Sequence, residues 1–217
     1  MLRGEGVVAL WNDVVPEGLA AFHAWHIGEH IAERVAIPGF LRGRRYAASD
    51  AATAPAFFTL YEVETLVVLT GEAYTARLNA PTPATQANIP NFRNTVRALA
   101  AVAASGGEGV GGAVLTLGFE GGEDARDALA ALLAAPFPRR IGAHLCRTDM
   151  AASGIVTREK EGRTTLARPP AWFAIIEATD IAALAAAPCD ADLAAAGAEG
   201  RVVRGFYRLE QLRDPPA

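Results

Sequence analysis

Cysteine is nearly absent. Among 217 residues there are two, Cys146 and Cys189, too few for a disulfide framework and far apart in sequence. Two thiols in a reducing compartment is the plainer expectation. Basic blocks are missing as well. Lysine and arginine number 20 against 24 acids, a net charge of −4, and the signs are mixed along the chain, so nucleic acid is not an expected partner. No apolar run approaches the roughly 20 residues of a membrane span. The opening MLRGEGVVALWNDVVPEG meets acids and a proline too early for a signal peptide. A soluble, cytoplasmic protein with no membrane partner is expected. The glycines at 106–107 and 109–112 are not followed by G-K-[ST], so they form no phosphate loop, and no G-x-S-x-G elbow occurs.

What the chain does have is apolar mass. Its apolar fraction is 51%, too high for disorder and enough for a core. Much of it is alanine, which favours helix and fills little volume. The length suits one large domain or two of about 100 residues.

Residues 6–11, GVVALW, predict a buried strand. Pro16 suits a helix start, and a helix is expected over 17–35, stopped by Pro38-Gly39. Residues 40–47 predict a second strand with Phe40, Arg42, Arg44 and Tyr46 on one face. FFTLYEVE at 57–64 is a strong third strand. A helix is expected over 65–78 and a proline-bearing loop over 81–90. The stretch 95–103 favours helix by propensity and strand by position. The glycines of 105–112 read as a linker. The pattern then repeats, with a strand at 113–120, a helix at 123–135 and a strand at 139–147. A charged loop at 153–170, a strand at 171–178, a helix at 181–187 and a strand at 201–209 complete it. AWFAIIEA of the second half aligns with FFTLYEVE of the first, placing Glu177 on Glu62.

The order is therefore βαββαβ twice, an α+β chain of two tandem ferredoxin-like repeats, residues 1–107 and 108–217. Each sheet has one face covered by helices and one bare apolar face that must be buried. Two copies can lay those faces together, forming an α/β barrel within the chain or with a second chain as a homodimer.

Chemistry concentrates in FHAWHIGEHIAERVAIPGFLRGRRY, residues 22–46, which holds three of the four histidines. At about 100° per residue, His23, His26 and His30 fall within about 60° of one another on the helix. Glu33 shares their side, and Glu29 lies further round. One reading is general acid/base catalysis: His30 or His26 moves a proton on a small acidic organic molecule, and Glu29 or Glu33 orients the imidazole. His23, Trp25, Arg44, Tyr46 and Tyr61 would then bind the phenolate or enolate.

A second reading is a metal site. His26-Ile27-Gly28-Glu29-His30 matches H-x-x-E-H, yet Gly28 interrupts the helix and no protease architecture accompanies it. A transition metal on His26, His30 and Glu33 stays open. Haem on one of these histidines has no attachment motif behind it, and no cofactor is expected. A third reading is a non-catalytic ligand-binding or interaction module; the matching helix EDARDALAALLAA contains no histidine and reads as packing. Arg42, Arg44 and Arg45 are expected to be solvated or salt-bridged, with Glu62 and Glu177 as partners. His144 reads as a satisfied buried histidine, and Trp11, Trp25 and Trp172 as core.

These motifs also resemble a known family. W-H-x-x-E-H-x-x-E-R followed by I-P-G-F-L-R-x-R-R-Y, then F-T-L-Y-E-V-E and L-N-A-P-T-P, are similar to the dimeric α/β-barrel superfamily, nearest to a bacterial group with two ferredoxin-like halves per chain. The resemblance spans most of residues 6–105 and thins over 110–217. The superfamily includes antibiotic-biosynthesis monooxygenases that need no cofactor, EthD-like proteins, muconolactone isomerases and haem-binding members. It implies the fold without selecting an activity.

Overall fold

A computed structural model describes residues 1–163 and 165–216. Its strands are β1 (Gly6–Val14), β2 (Phe40–Ala48), β3 (Phe57–Val63), β4 (Phe92–Gly107), β5 (Ala113–Glu120), β6 (Arg140–Thr148), β7 (Leu166–Ala167), β8 (Trp172–Ala178) and β9 (Glu199–Arg213). Eight of them hydrogen-bond in the order β1-β3-β2-β9-β5-β8-β6-β4, and β4 pairs back onto β1. The result is a closed antiparallel barrel. The two-residue β7 lies outside that ring, parallel to β4.

Each half contributes the same order, β4-β1-β3-β2 and β9-β5-β8-β6. The halves are joined at their edges, β2 to β9 and β4 to β6. This is how the bare faces are buried: closure turns both inward and leaves none of the eight strands an open edge. The barrel closes within one chain. Its interior is filled from both halves by Val7, Ala9, Trp11, Phe58, Leu60, Ala98, Val114, Phe173, Ile175 and Tyr207, among others.

Two outer layers cover the sheet. Over the second half, Leu129 and Leu133 of the helix Arg126–Ala134 pack on Leu115, Leu117 and Ile176. Over the first half, one continuous helix spans residues 16–35. Pro16 sits in its first turn, where a missing N–H costs nothing. Beyond its end Gly39 takes φ +85°, a conformation that favours glycine. Ile31, Val35, Ile37 and Phe40 bury against Val8, Tyr61 and Leu99 of the sheet.

The stretch 95–103, open between helix and strand in the sequence, is strand as its position argued, the middle of a 16-residue β4; pairing with β1 and β6 outweighs alanine's helix propensity. Other elements depart from the sequence reading. Half of the expected linker, Ser105 to Gly107, is the end of that strand, pairing with Gly142–His144. The helix expected over 65–78 is split into a 3₁₀ turn at Leu66–Leu69 and a helix at Glu72–Asn79. The proline-bearing loop contains a helix at Pro83–Asn88, capped by the Thr82 side chain. The charged loop contains helices at Met150–Gly154 and Arg158–Glu161. The helix expected over 181–187 is a 3₁₀ turn at Ala182–Ala186, followed by an unforeseen helix at Asp190–Ala195.

Arg42, Arg44 and Arg45 are salt-bridged, the second of the two expectations, and buried rather than solvated. Arg44 lies inside the barrel. Its Nε donates to Glu62 at 2.6 Å and its Nη1 to Glu177 at 2.9 Å, tying the two halves together. Glu177 also contacts His144 Nε2 at 3.0 Å and accepts from the Gly111 N–H at 2.7 Å; His144 Nδ1 meets Ser105 Oγ at 2.8 Å. Burial alone would raise the Glu177 pKa. The His144 hydrogen bond, the Arg44 charge and hydrogen bond, and the Gly111 N–H together hold it at about 2.

Candidate active site

The helix over β1–β4 changes its winding where the histidines lie. Residues His26–His30 form a π turn, and the Ile31 N–H donates to the His26 carbonyl five residues back. Such turns appear as isolated bulges inside α-helices, often at functional sites. Here the turn brings the His26 and His30 ring centroids to 5.3 Å. Trp25 lies 4.3 Å from the His30 ring and Phe22 5.1 Å from that of His26. Both histidines are buried, His26 at 1% exposure and His30 at 7%.

Their Nδ1 atoms have no hydrogen-bond partner among the described residues. Burial lowers both pKa values well below 6.5. Arg45 and Arg34 lower His26 further, and Arg34 and His26 lower His30 further. Both rings are therefore neutral at pH 7, each able to accept a proton through an unengaged nitrogen.

The expected companions divide. Glu33 stays close, its Oε2 3.8 Å from His30 Nδ1, which is beyond hydrogen-bond range; its Oε1 is held by Arg77 Nη1 at 2.5 Å. Tyr61 faces the same outer layer, and its hydroxyl is buried without a partner among the described residues. Trp25 belongs to the site and its Nε1 is likewise unpartnered.

Glu29 does not orient an imidazole. Its Oε1 accepts from the Thr82 hydroxyl at 2.6 Å. His23 is tied to Arg45, whose Nη2 lies 2.7 Å from its Nδ1. A guanidinium only donates, so that nitrogen must be the acceptor. Arg44 and Tyr46 do not join the histidines; they point into the barrel, with the sheet between. The expected shared face of Phe40, Arg42, Arg44 and Tyr46 is broken by a register shift between Phe40 and Arg42. That bulge turns Phe40 to the outer layer, away from Arg44 and Tyr46.

Two residues whose charges reach the histidines, Arg34 and Arg163, were given no role in the sequence reading. Arg34, one turn beyond His30, is buried and paired with Glu159 of the second half. The helical step from His30 to Arg34 was the available signal. Asn88, Thr95 and Arg163 carry further buried polar atoms without partners among the described residues, and nothing in their spacing marks them. Among the described residues no group of three or more His, Cys, Asp or Glu is placed to hold a metal ion. No helix there is long and apolar enough to cross a membrane.

No protein-family profile and no curated protein matches the sequence. Solved structures do match over nearly the whole length. An anthrone oxidase-like protein superposes with a TM-score of 0.59 at 14% identity, over 96% of this chain and 92% of its own. A candidate monooxygenase from Fusobacterium nucleatum gives 0.58 at 9% identity, over 98% and 96%. A candidate chlorite dismutase gives 0.58 at 11% identity, over 96% of each. What this chain shares with them is the fold, an α+β chain closed into an eight-stranded antiparallel barrel. At these identities the likeness concerns the fold and carries no activity with it.

Proposed function

We propose that this chain is an enzyme of the cofactor-free oxygenase or isomerase type, acting on a small organic molecule by histidine general acid/base chemistry. The observation that supports it is the pair of neutral, buried imidazoles with unengaged Nδ1 atoms in an aromatic wall. His30, the less enclosed ring, takes a proton from an acidic C–H or O–H; His26 polarises the neighbouring position. The resulting carbanion or phenolate is reprotonated at another atom, or passes an electron to dioxygen, after which the substrate radical and superoxide join, take back the proton from His30 as a hydroperoxide and lose water to leave a carbonyl. Residues 1–107 supply the histidines, and 108–217 complete the barrel beneath them and set Glu159 against Arg34. A homodimer is compatible with the fold of its neighbours.

The test is turnover of a panel of anthrones and enol-lactones, chosen because one structural neighbour is described as anthrone oxidase-like. Oxygen uptake and solvent deuterium exchange into the substrate are followed. Turnover that falls by about 10²-fold or more in His30→Gln is expected. Turnover unchanged in that variant removes His30 as the base.

A second reading, a ligand-binding module, is favoured by a cavity of about 280 Å³ at one end of the barrel, lined by Trp11, Val96, Phe119, Pro170 and Tyr207. Two of its polar groups are already engaged: Trp11 Nε1 donates to Thr116, and the Tyr207 hydroxyl to the Pro55 carbonyl. Apolar dyes displaced by a ligand equally well in wild type and His30→Gln, with no turnover in either, favour this reading.

A further inference from the structure

One wall of the histidine site is cationic, and both halves of the chain build it. Arg34 Nη2 pairs with Glu159, but its Nη1 is buried without a hydrogen-bond partner among the described residues. Arg163 arrives on the segment after Thr148, which lies on the first half: the Asp149 N–H donates to Leu99, and the Arg158 N–H to Asn79. The Nε and Nη1 of Arg163 are buried and likewise unpartnered, and its guanidinium lies 5.7 Å over the Phe92 ring. Phe92 in turn is 6.2 Å from Trp25, whose Nε1 is another unpartnered donor, and Trp25 is 4.3 Å from His30. Ring contacts thus run unbroken from Arg163 to the proposed base.

Buried donors on a charged group are the costliest to leave unmet. Here three guanidinium N–H positions and one indole N–H are left together. Glu159 acts on both Arg34 and Arg163, and Glu33, held by Arg77 through its Oε1, acts on Arg34 as well. These carboxylates still leave the guanidinium N–H positions named above without a hydrogen bond among the described residues. On the outer side of the same segment a groove of about 410 Å³ is lined by Arg97, Lys160 and Arg168, with no carboxylate in its wall. Such a surface draws anions toward it.

We propose that Arg34, Arg163 and Trp25 clamp the oxyanion of a planar aromatic acid, a carboxylate or phenolate, whose acidic position faces His30. The assignment rests on the catalytic reading of His30 for its last clause only; the clamp itself stands on the donors. The guanidiniums supply the fork geometry that a planar oxyanion accepts. Arg163 closes the site from the second half, so anion binding fixes the segment that carries it.

The test uses benzoate as the probe and benzyl alcohol as its neutral counterpart, with calorimetry on the full chain. Benzoate binding with benzyl alcohol at least tenfold weaker is expected. Arg163→Gln weakens benzoate at least tenfold, and Arg163→Lys recovers part of that loss. Equal binding of the two probes, or full benzoate affinity in Arg163→Gln, overturns the clamp. Equal loss in the Gln and Lys variants, together with a lowered unfolding midpoint, marks a purely structural arginine and also overturns it. Intact benzoate binding with no turnover of any substrate removes the catalytic reading and keeps the clamp. Turnover of neutral substrates without benzoate binding removes the clamp alone.

Discussion

His30 and His26 hold their place at a cost that depends on pH. Their folded pKa values lie well below 6.5, so in acid the unfolded chain takes up protons that the native state refuses. Stability is fully present above about pH 6.5 and falls as the pH drops below it, by up to about 1.4 kcal/mol per pH unit for each ring. Replacing either ring with glutamine should flatten that slope, read from urea midpoints between pH 5 and 7. The same depression keeps the base unprotonated: kcat/KM is expected to stay level well below pH 6.5. A fall in kcat/KM centred on 6.5 would contradict the burial. At this scale helical spacing predicted that the His26 and His30 rings lie together, as they do at 5.3 Å, and Arg34 was within reach of the same argument. Arg163 was not, because it meets the site only through the fold. Arg44 and Tyr46 were placed with the histidines on sound alternation, yet alternation alone does not say which face of a sheet turns inward.

The helix over residues 16–35 was legible from its proline start and its Pro38-Gly39 stop. Its π turn was not, since nothing in H-I-G-E-H distinguishes one extra residue per turn from regular winding. Gly28 sits within that turn, and a Cβ there would meet nothing within 4 Å. Gly28→Ala is therefore expected to stabilise the protein by about 0.4–1 kcal/mol by restricting the unfolded chain. Thermal unfolding checks this, and a loss of stability would show that the turn depends on glycine. The segment 149–163 read as a charged loop because its anchoring is tertiary: the buried Arg34–Glu159 pair spans 125 positions of sequence. Glu159→Gln leaves Arg34 buried against a neutral partner and should cost about 3–5 kcal/mol. Faster proteolysis within 149–163 is the local sign to look for.

For the molecule as a whole, strand order and α+β class were readable from the doubled pattern, and closure within one chain was not. Periodicity reports which residues are apolar, not which edges meet. The interior network of Glu62, Arg44, Glu177 and His144 crosses between the halves, so it should weigh on the cohesion of the entire barrel. With Glu177 held at about 2 against 4.5 in an ordinary carboxylate, the unfolded state binds the proton first as the pH falls. The network then contributes about 3 kcal/mol above pH 4.5 and loses it between there and pH 2. Glu177→Gln should remove that acid dependence and destabilise the fold, read by chemical denaturation across the same range. Residues 1–107 or 108–217 expressed alone would expose two strand edges and an apolar face, and light scattering should find them paired or aggregated. Monomeric, folded halves would contradict the edge-to-edge construction.

The joining of both seams inside a single polypeptide has a further consequence. Where a barrel is assembled from two identical copies, any change beneath one helix is imposed on the other. Here the layer under residues 16–35 and the layer under Arg126–Ala134 are encoded separately. The second has been free to become plain leucine and alanine ballast, leaving the first to carry imidazoles and guanidiniums that a symmetric assembly would have to tolerate twice.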